Sequence, residues 1–240
     1  MLRYNTTLGA AEIYDGTGNW SAIATQGILT TSLALFLNAG TYTSGGSTWT
    51  DSIGGYAFTL SGSSTKPAAY QIAPSTSSIN FRDGNPSALV FGTAAFSIEC
   101  WFYFSTTNYG GWRYVFGKSN FWDAGSYGLY INSGGTALGF HTTSANGPEY
   151  SLSSIGTGWK HILATRDSAG RKLYINGTQV ASDSTVDSIS STQNVCYGSD
   201  SNGGYSDSGY KFGNARIYSI ALNSSQVLQN FNAERGYYGV

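Results

Sequence analysis

From Phe96 to Phe104 every even-numbered position is apolar: Phe96, Ile98, Cys100, Phe102 and Phe104. Side chains alternate between faces along an extended chain, so a period of two predicts a strand with one buried face. The same alternation runs through residues 112–118, 127–132, 137–142 and 159–166, with Gly-, Asn- or Ser-rich breaks between them. Residues 171–175 and 178–181 flank Asn176-Gly177. That dipeptide readily takes positive φ at both central positions of a type I′ turn, which predicts a two-residue hairpin. A chain written this way folds as antiparallel strands, and the expected class is an all-β sandwich.

One segment reads as a helix, residues 223–231. Asn223 or Ser224 can cap its free N–H groups, and Val227, Leu228 and Phe231 fall on one face. Residues 182–210 are rich in Ser, Asp and Gly, which predicts a long loop with one short strand around Val195-Cys196-Tyr197. A shift in composition near Gln26-Gly27 divides the chain into a short segment, 1–27, and a main domain, 28–240.

Composition excludes several functions. Charged residues make up 10% and the net charge is −1, so the basic surplus that nucleic-acid binding requires is missing. Aromatics at 15% rule out a disordered chain, and 32 glycines argue against a helical bundle. The densest apolar run, Leu33-Ala34-Leu35-Phe36-Leu37, is far below the ~18 residues of a membrane span. The first residues, Met1-Leu2-Arg3-Tyr4, begin no apolar signal core, so classical secretion is not expected. Cys100 and Cys196 allow two readings, a pair of buried free thiols or one bridge between strands.

Five motifs occur in order: Phe96-Ser97-Ile98-Glu99-Cys100-Trp101, Trp159-Lys160-His161-Ile162, Leu173-Tyr174-Ile175-Asn176-Gly177, Phe212-Gly213-Asn214-Ala215-Arg216-Ile217-Tyr218, and Ala221-Leu222-Asn223-Ser224-Ser225-Gln226-Val227. Over residues 30–235 the chain resembles the laminin-G-like, concanavalin A-like jelly-roll family. The resemblance implies two packed antiparallel sheets, a short C-terminal helix and, ahead of them, a small N-terminal β-hairpin element. Residues 33–40, 48–51 and 229–240 are similar to the ends of such domains in tailed-phage virion proteins. Leu2-Arg3-Tyr4-Asn5 with Tyr14 and Trp20 resembles a hairpin element of phage fibres. This implies a virion structural protein, a head-decoration or tail-fibre subunit assembled in the host cytoplasm. The other reading is a free-standing carbohydrate-binding module or adhesin.

The jelly-roll family includes glucanases, which place two carboxylates across the scissile bond. Glu12, Glu99, Glu149 and Glu234 are the only glutamates, and none has an acidic neighbour at i+2 or i+4, so no enzyme is expected. Glu99 and His161 belong to the strand motifs, where packed or hydrogen-bonded roles are expected; His141 ends a strand. No cofactor is expected. Some laminin-G-like domains hold calcium with one or two Asp and backbone carbonyls, and Asp123 or Asp200 would be the place for it here.

Surface aromatics remain. Tyr109 and Trp112, with Trp122, Asp123 and Tyr127, sit beside Gly, Asn and Asp in two short stretches. Sugar rings offer apolar C–H faces and outward hydroxyls, which a flat aromatic next to a polar group suits. These five are the candidate site for a host-surface glycan, the alternative being that Trp112 and Trp122 pack the sandwich rim. Tyr4, Ile13, Tyr14 and Trp20 are too few to build a core, and they are the expected docking groups toward other virion proteins. The resemblance to fibre proteins implies a homotrimer.

Overall fold

The computed structural model describes residues 2–5, 10–14, 16–18, 20–22, 27–75, 78–83, 86–120, 123–143 and 146–240. Its first strands are β1 (Leu2–Asn5), β2 (Ala10–Tyr14), β3 (Trp20–Ala22), β4 (Leu33–Leu37), β5 (Thr48–Thr50) and β6 (Ala57–Ser61). Then come β7 (Ser64–Ala68), β8 (Gln71–Pro74), β9 (Asn80–Arg82), β10 (Phe96–Phe104), β11 (Arg113–Lys118) and β12 (Tyr127–Ile131). The remainder are β13 (Ala137–Thr142), β14 (Glu149–Ser151), β15 (Gly158–Asp167), β16 (Gly170–Ile175), β17 (Thr178–Asp183), β18 (Val195–Tyr197) and β19 (Lys211–Tyr218). A one-turn helix, α1 (Leu152–Ile155), follows β14, and α2 (Ser224–Tyr238) follows β19.

Two antiparallel sheets pack face to face as a jelly-roll sandwich. The first runs β17-β16-β15-β10-β19-β8-β7, with β4 also on β19; the second runs β14-β13-β12-β11-β18-β9-β6-β5. The even positions of β10 enter the core with Leu35, Leu37, Phe116, Leu129, Phe140, Ile162 and Phe212. The hairpin turns where the sequence predicts it: Asn176 has φ 50° and Gly177 φ 81°, with Ile175 opposite Thr178. The strand inside the long loop is Val195–Tyr197, also as expected. The short strands β5 to β9 are not legible in the alternation, because three to five residues give too few periods.

Strand β10 corrects one expectation. The alternation predicts one wet face, yet Glu99 and Trp101 on the opposite face are fully buried. The cover is α2, which the sequence reading ends at 231 and the structure carries to Tyr238. Asn223 caps it as expected, accepting from the N–H groups of Ser225 and Gln226, while the Gln226 side chain accepts from Asn223 N. The extra turns are held by polar groups spaced four apart. Asn230 donates to Glu99 at 2.7 Å, Glu234 pairs with Arg216, and the Tyr238 hydroxyl accepts from Asn214 N at 2.9 Å. Apolar periodicity cannot register such a stripe. Leu228, expected on the buried face with Val227 and Phe231, is instead 46% exposed and lies against the Gly177 turn.

Both cysteines are free and buried. Parity explains why no bridge forms: Cys100 is in the core, whereas Cys196 pairs with Gly117 and alternates with the core residue Tyr197 onto the outer face. β1, β2 and β3 form a separate three-stranded antiparallel sheet, one strand more than a hairpin. Tyr14 is 37% exposed; the side chains of Tyr4, Ile13 and Trp20 lie outside the described residues. The main domain ties back to α2 from Gly27 onward, since Gln229 donates to Gly27 O and Leu29 N to Asn230.

Candidate functional site

With α2 on the outer face of the first sheet, the candidate site falls to the outer face of the second, where Tyr114, Tyr130, His141 and Cys196 are themselves buried and the partly exposed groups are Trp112, Asn132 and Glu149. Register builds it in two rows. Tyr114, Tyr130, Gly139 and Glu149 are successive neighbours across β11, β12, β13 and β14. Cys196, Gly117, Gly128 and His141 form the adjacent row. The glycines let the tyrosine rings lie flat on the sheet. A Cβ at Gly128 would stand 2.0 Å from the Tyr114 hydroxyl, and one at Gly139 2.3 Å from the Tyr130 ring. Tyr114 then donates to Tyr127 O at 3.1 Å.

Tyr130 donates to one Glu149 oxygen at 2.8 Å, and the Asn132 amide donates to the other at 3.0 Å. Burial, and then this bond to Glu149, push the Tyr130 phenol up, so it stays a protonated donor. His141 lies between the Tyr114 and Tyr130 rings, with Nδ1 3.3 Å from Thr143 O. Burial lowers its pKa to about 3, with Arg171 adding to the effect, so the ring is neutral. Trp112 stands at the end of this floor, partly exposed, with its ring centroid 5.8 Å from Tyr130.

A loop over residues 199–205 runs beside β11. Ser201 N donates to Ser119 O at its far end, and Tyr114 N to Tyr205 O at the Trp112 end. Tyr205 holds φ 58°, a left-handed conformation that a bulky residue rarely keeps, and its ring is 43% exposed. At the far end Asp123 accepts from Gln193 at 2.6 Å, Gln193 accepts from Ser201 at 2.9 Å, and Asn202 donates to Asn120 at 2.6 Å.

The five sequence candidates therefore part company. Trp112 precedes β11 and Asp123 follows it, so the strand separates them. Tyr127 is fully buried and donates to Leu89 O, and Tyr109 is buried beside Tyr210, so neither offers a ring face to a ligand. Register explains Tyr127, which alternates with Gly128 and falls on the core side. Trp122 lies outside the described residues. Alternation alone does not single out Tyr114, Tyr130, Asn132, Glu149 and Tyr205. Their available signal was glycine at outward strand positions, where polar side chains are the rule. Asp200 Oδ1 accepts from the N–H groups of Asn202 and Gly204, so it caps a turn. Among the described residues no group of three or more His, Cys, Asp or Glu comes together to hold a metal. No helix among them is long and apolar enough to cross a membrane.

The sequence profile described as the concanavalin A-like lectin/glucanases superfamily matches residues 74–228. No curated protein sequence matches the chain. Among solved structures it is similar to one concerned with ganglioside-dependent cell entry of botulinum neurotoxin type C: TM-score 0.64, 15% identity, 84% of this chain and 51% of that one. The binding domain of botulinum neurotoxin DC, in complex with SialylT, gives 0.62 and 14%, covering 85% and 52%. Trypanosoma rangeli sialidase with sialic acid gives 0.63 and 16%, covering 88% and 34%. The chain spans about half the length of the toxin chains and about a third of the sialidase. At such identities the likeness is one of fold.

Proposed function

Because the chain belongs to the concanavalin A-like lectin/glucanase superfamily, we propose that it is a non-enzymatic glycan-binding module, displayed as a virion structural subunit. The observation that carries the glycan reading is Trp112, partly exposed beside the Tyr130–Glu149–Asn132 network on the second sheet, of which Glu149 and Asn132 are also partly exposed. An aromatic face with hydrogen-bonding groups at its edge is what a sugar ring requires. The ganglioside and sialic acid named for the similar structures support a carbohydrate as the ligand class.

The non-enzymatic part rests on the carboxylates. Glu99 and Glu234 share Arg216 beneath α2, out of reach of any substrate, and Glu149 is occupied by Tyr130 and Asn132. The virion part rests on the phage-like segments in the sequence and on the N-terminal strands β1–β3, which hydrogen-bond as a sheet of their own. The subunit assembles as a homotrimer with residues 1–27 near the axis.

The test is a glycan array with wild type and Trp112→Ala. Binding by the wild type that falls at least tenfold in the variant is expected. An array with no wild-type binding removes the glycan role and leaves a structural one. Mass spectrometry of purified virions, with and without residues 1–27, tests incorporation.

A further inference from the structure

The network beside Trp112 holds a carboxylate still and leaves it able to accept more. The Tyr130 hydroxyl donates to Glu149 Oε1 at 2.8 Å and accepts from Gly147 N at 3.3 Å, so it is used in both directions. The Asn132 amide donates to Glu149 Oε2 at 3.0 Å, while its Oδ1 accepts from Thr136 N at 3.1 Å and Ala137 N at 3.3 Å. Those two bonds come from the turn between β12 and β13 and fix which way the amide faces. A carboxylate has about four lone-pair sites on its two oxygens, and these two donors take one on each. The acceptor capacity left in the network is on Glu149, and the donor left is the second N–H of Asn132.

Glu149, Asn132 and Trp112 are the partly exposed members of this end of the sheet. Asn132 follows Ile131, the partner of Arg113, so it stands across from Trp112 where β11 and β12 part. The Trp112 and Tyr130 ring centroids are 5.8 Å apart. Arg171, whose charge reaches the Tyr130 phenol, is buried and committed: its nitrogens donate to Asp183, Thr142 and Asn146 O. A ligand must therefore donate to Glu149 itself. An ammonium donates but accepts nothing, which leaves Asn132 without an acceptor; a hydroxyl does both. Two carboxylate oxygens, each with room for one more bond, ask for two donors side by side.

We infer that the site reads two adjacent free hydroxyls of a sugar ring, which donate to the two oxygens of Glu149 while the C–H face lies on Trp112; this rests on the glycan-binding reading above. The carboxylate is preorganised by Tyr130 and Asn132, so binding does not have to order it.

The experiment prints the glycosides of glucose, galactose and mannose beside their monodeoxy forms, in which each ring hydroxyl in turn is replaced by hydrogen, and probes them with the full chain. Loss of either hydroxyl of one adjacent pair should weaken binding about tenfold or more, as expected for hydrogen bonds to a charged group. Loss of the other hydroxyls should change it less than threefold. Glu149→Gln, checked by circular dichroism for an intact fold, exchanges one acceptor for a donor. It should shrink the difference between the parent sugar and the two sensitive deoxy forms. Binding that no single deoxygenation weakens, sensitive positions that are not neighbours, or a difference that Glu149→Gln leaves unchanged each overturns the inference while leaving the glycan role standing. No binding of any parent sugar, here and on the wider array, ends both.

Discussion

Arg216 on β19 donates to Glu99 on β10 at 2.7 Å, across 117 positions of sequence, and neither side chain is exposed. The guanidinium is shared with Glu234 of α2, and His161 Nε2 lies 3.1 Å from the same Glu99 oxygen. Buried charge is tolerated only when it is paired and hydrogen-bonded, and this cluster is how the sheet accepts a helix with a polar underside.

Removing one partner leaves the other charged and dry. Glu99→Gln should lower the unfolding free energy by about 3 kcal/mol or more, read from urea denaturation. Arg216→Met should cost at least as much, since it strands two carboxylates. An effect below about 1 kcal/mol in both would mean that water enters beneath α2.

Acid should attack the same cluster. Burial raises the Glu99 carboxyl, but Arg216 first, then His161 and Asn230, outweigh this and bring it to about 2, below its ordinary 4.5. The unfolded chain therefore takes up a proton that the native state refuses. Stability from this group is complete above pH 4.5 and declines as the pH falls toward 2. Thermal melts of Glu99→Gln should be flatter over that window than those of the wild type.

His141 acts earlier on the same descent. Its native pKa of about 3 lies below the ordinary 6.5, so between those values the unfolded chain gains a proton and the native ring does not. Stability should start to fall below pH 6.5, before Glu99 contributes. His141→Gln should lessen the change in melting temperature between pH 6.5 and 4.5.

The glycines of the outer face are open to direct test. Gly128→Ala places a methyl 2.0 Å from the Tyr114 hydroxyl and must lift that ring. A loss of about 1–3 kcal/mol is expected, with the near-ultraviolet dichroism of the tyrosines altered. Gly177→Val sets a branched residue at φ 81° and 2.9 Å from Leu228. It should cost at least about 1 kcal/mol and loosen α2, seen as faster amide exchange over residues 224–231.

The jelly-roll reading came from local rules. Strand β10 announces itself because one face must be apolar, and Asn176-Gly177 because positive φ is cheap for those two residues. Asn223 and Gln226 mark where α2 starts for a similar reason: a cap is satisfied within four residues. What lies on the two outer faces depends on partners far apart in sequence. Glu99 looks like a solvated strand residue until Arg216 and Asn230 arrive from more than a hundred positions away. Tyr109 and Tyr127 look like surface aromatics, and the packing of the two sheets puts them inside. Tyr130 and Glu149 acquire a joint role only when Gly139 lets a ring lie flat between their strands. Periodicity fixes which side of a strand a residue takes; only the tertiary arrangement decides whether that side meets the core, a helix or solvent.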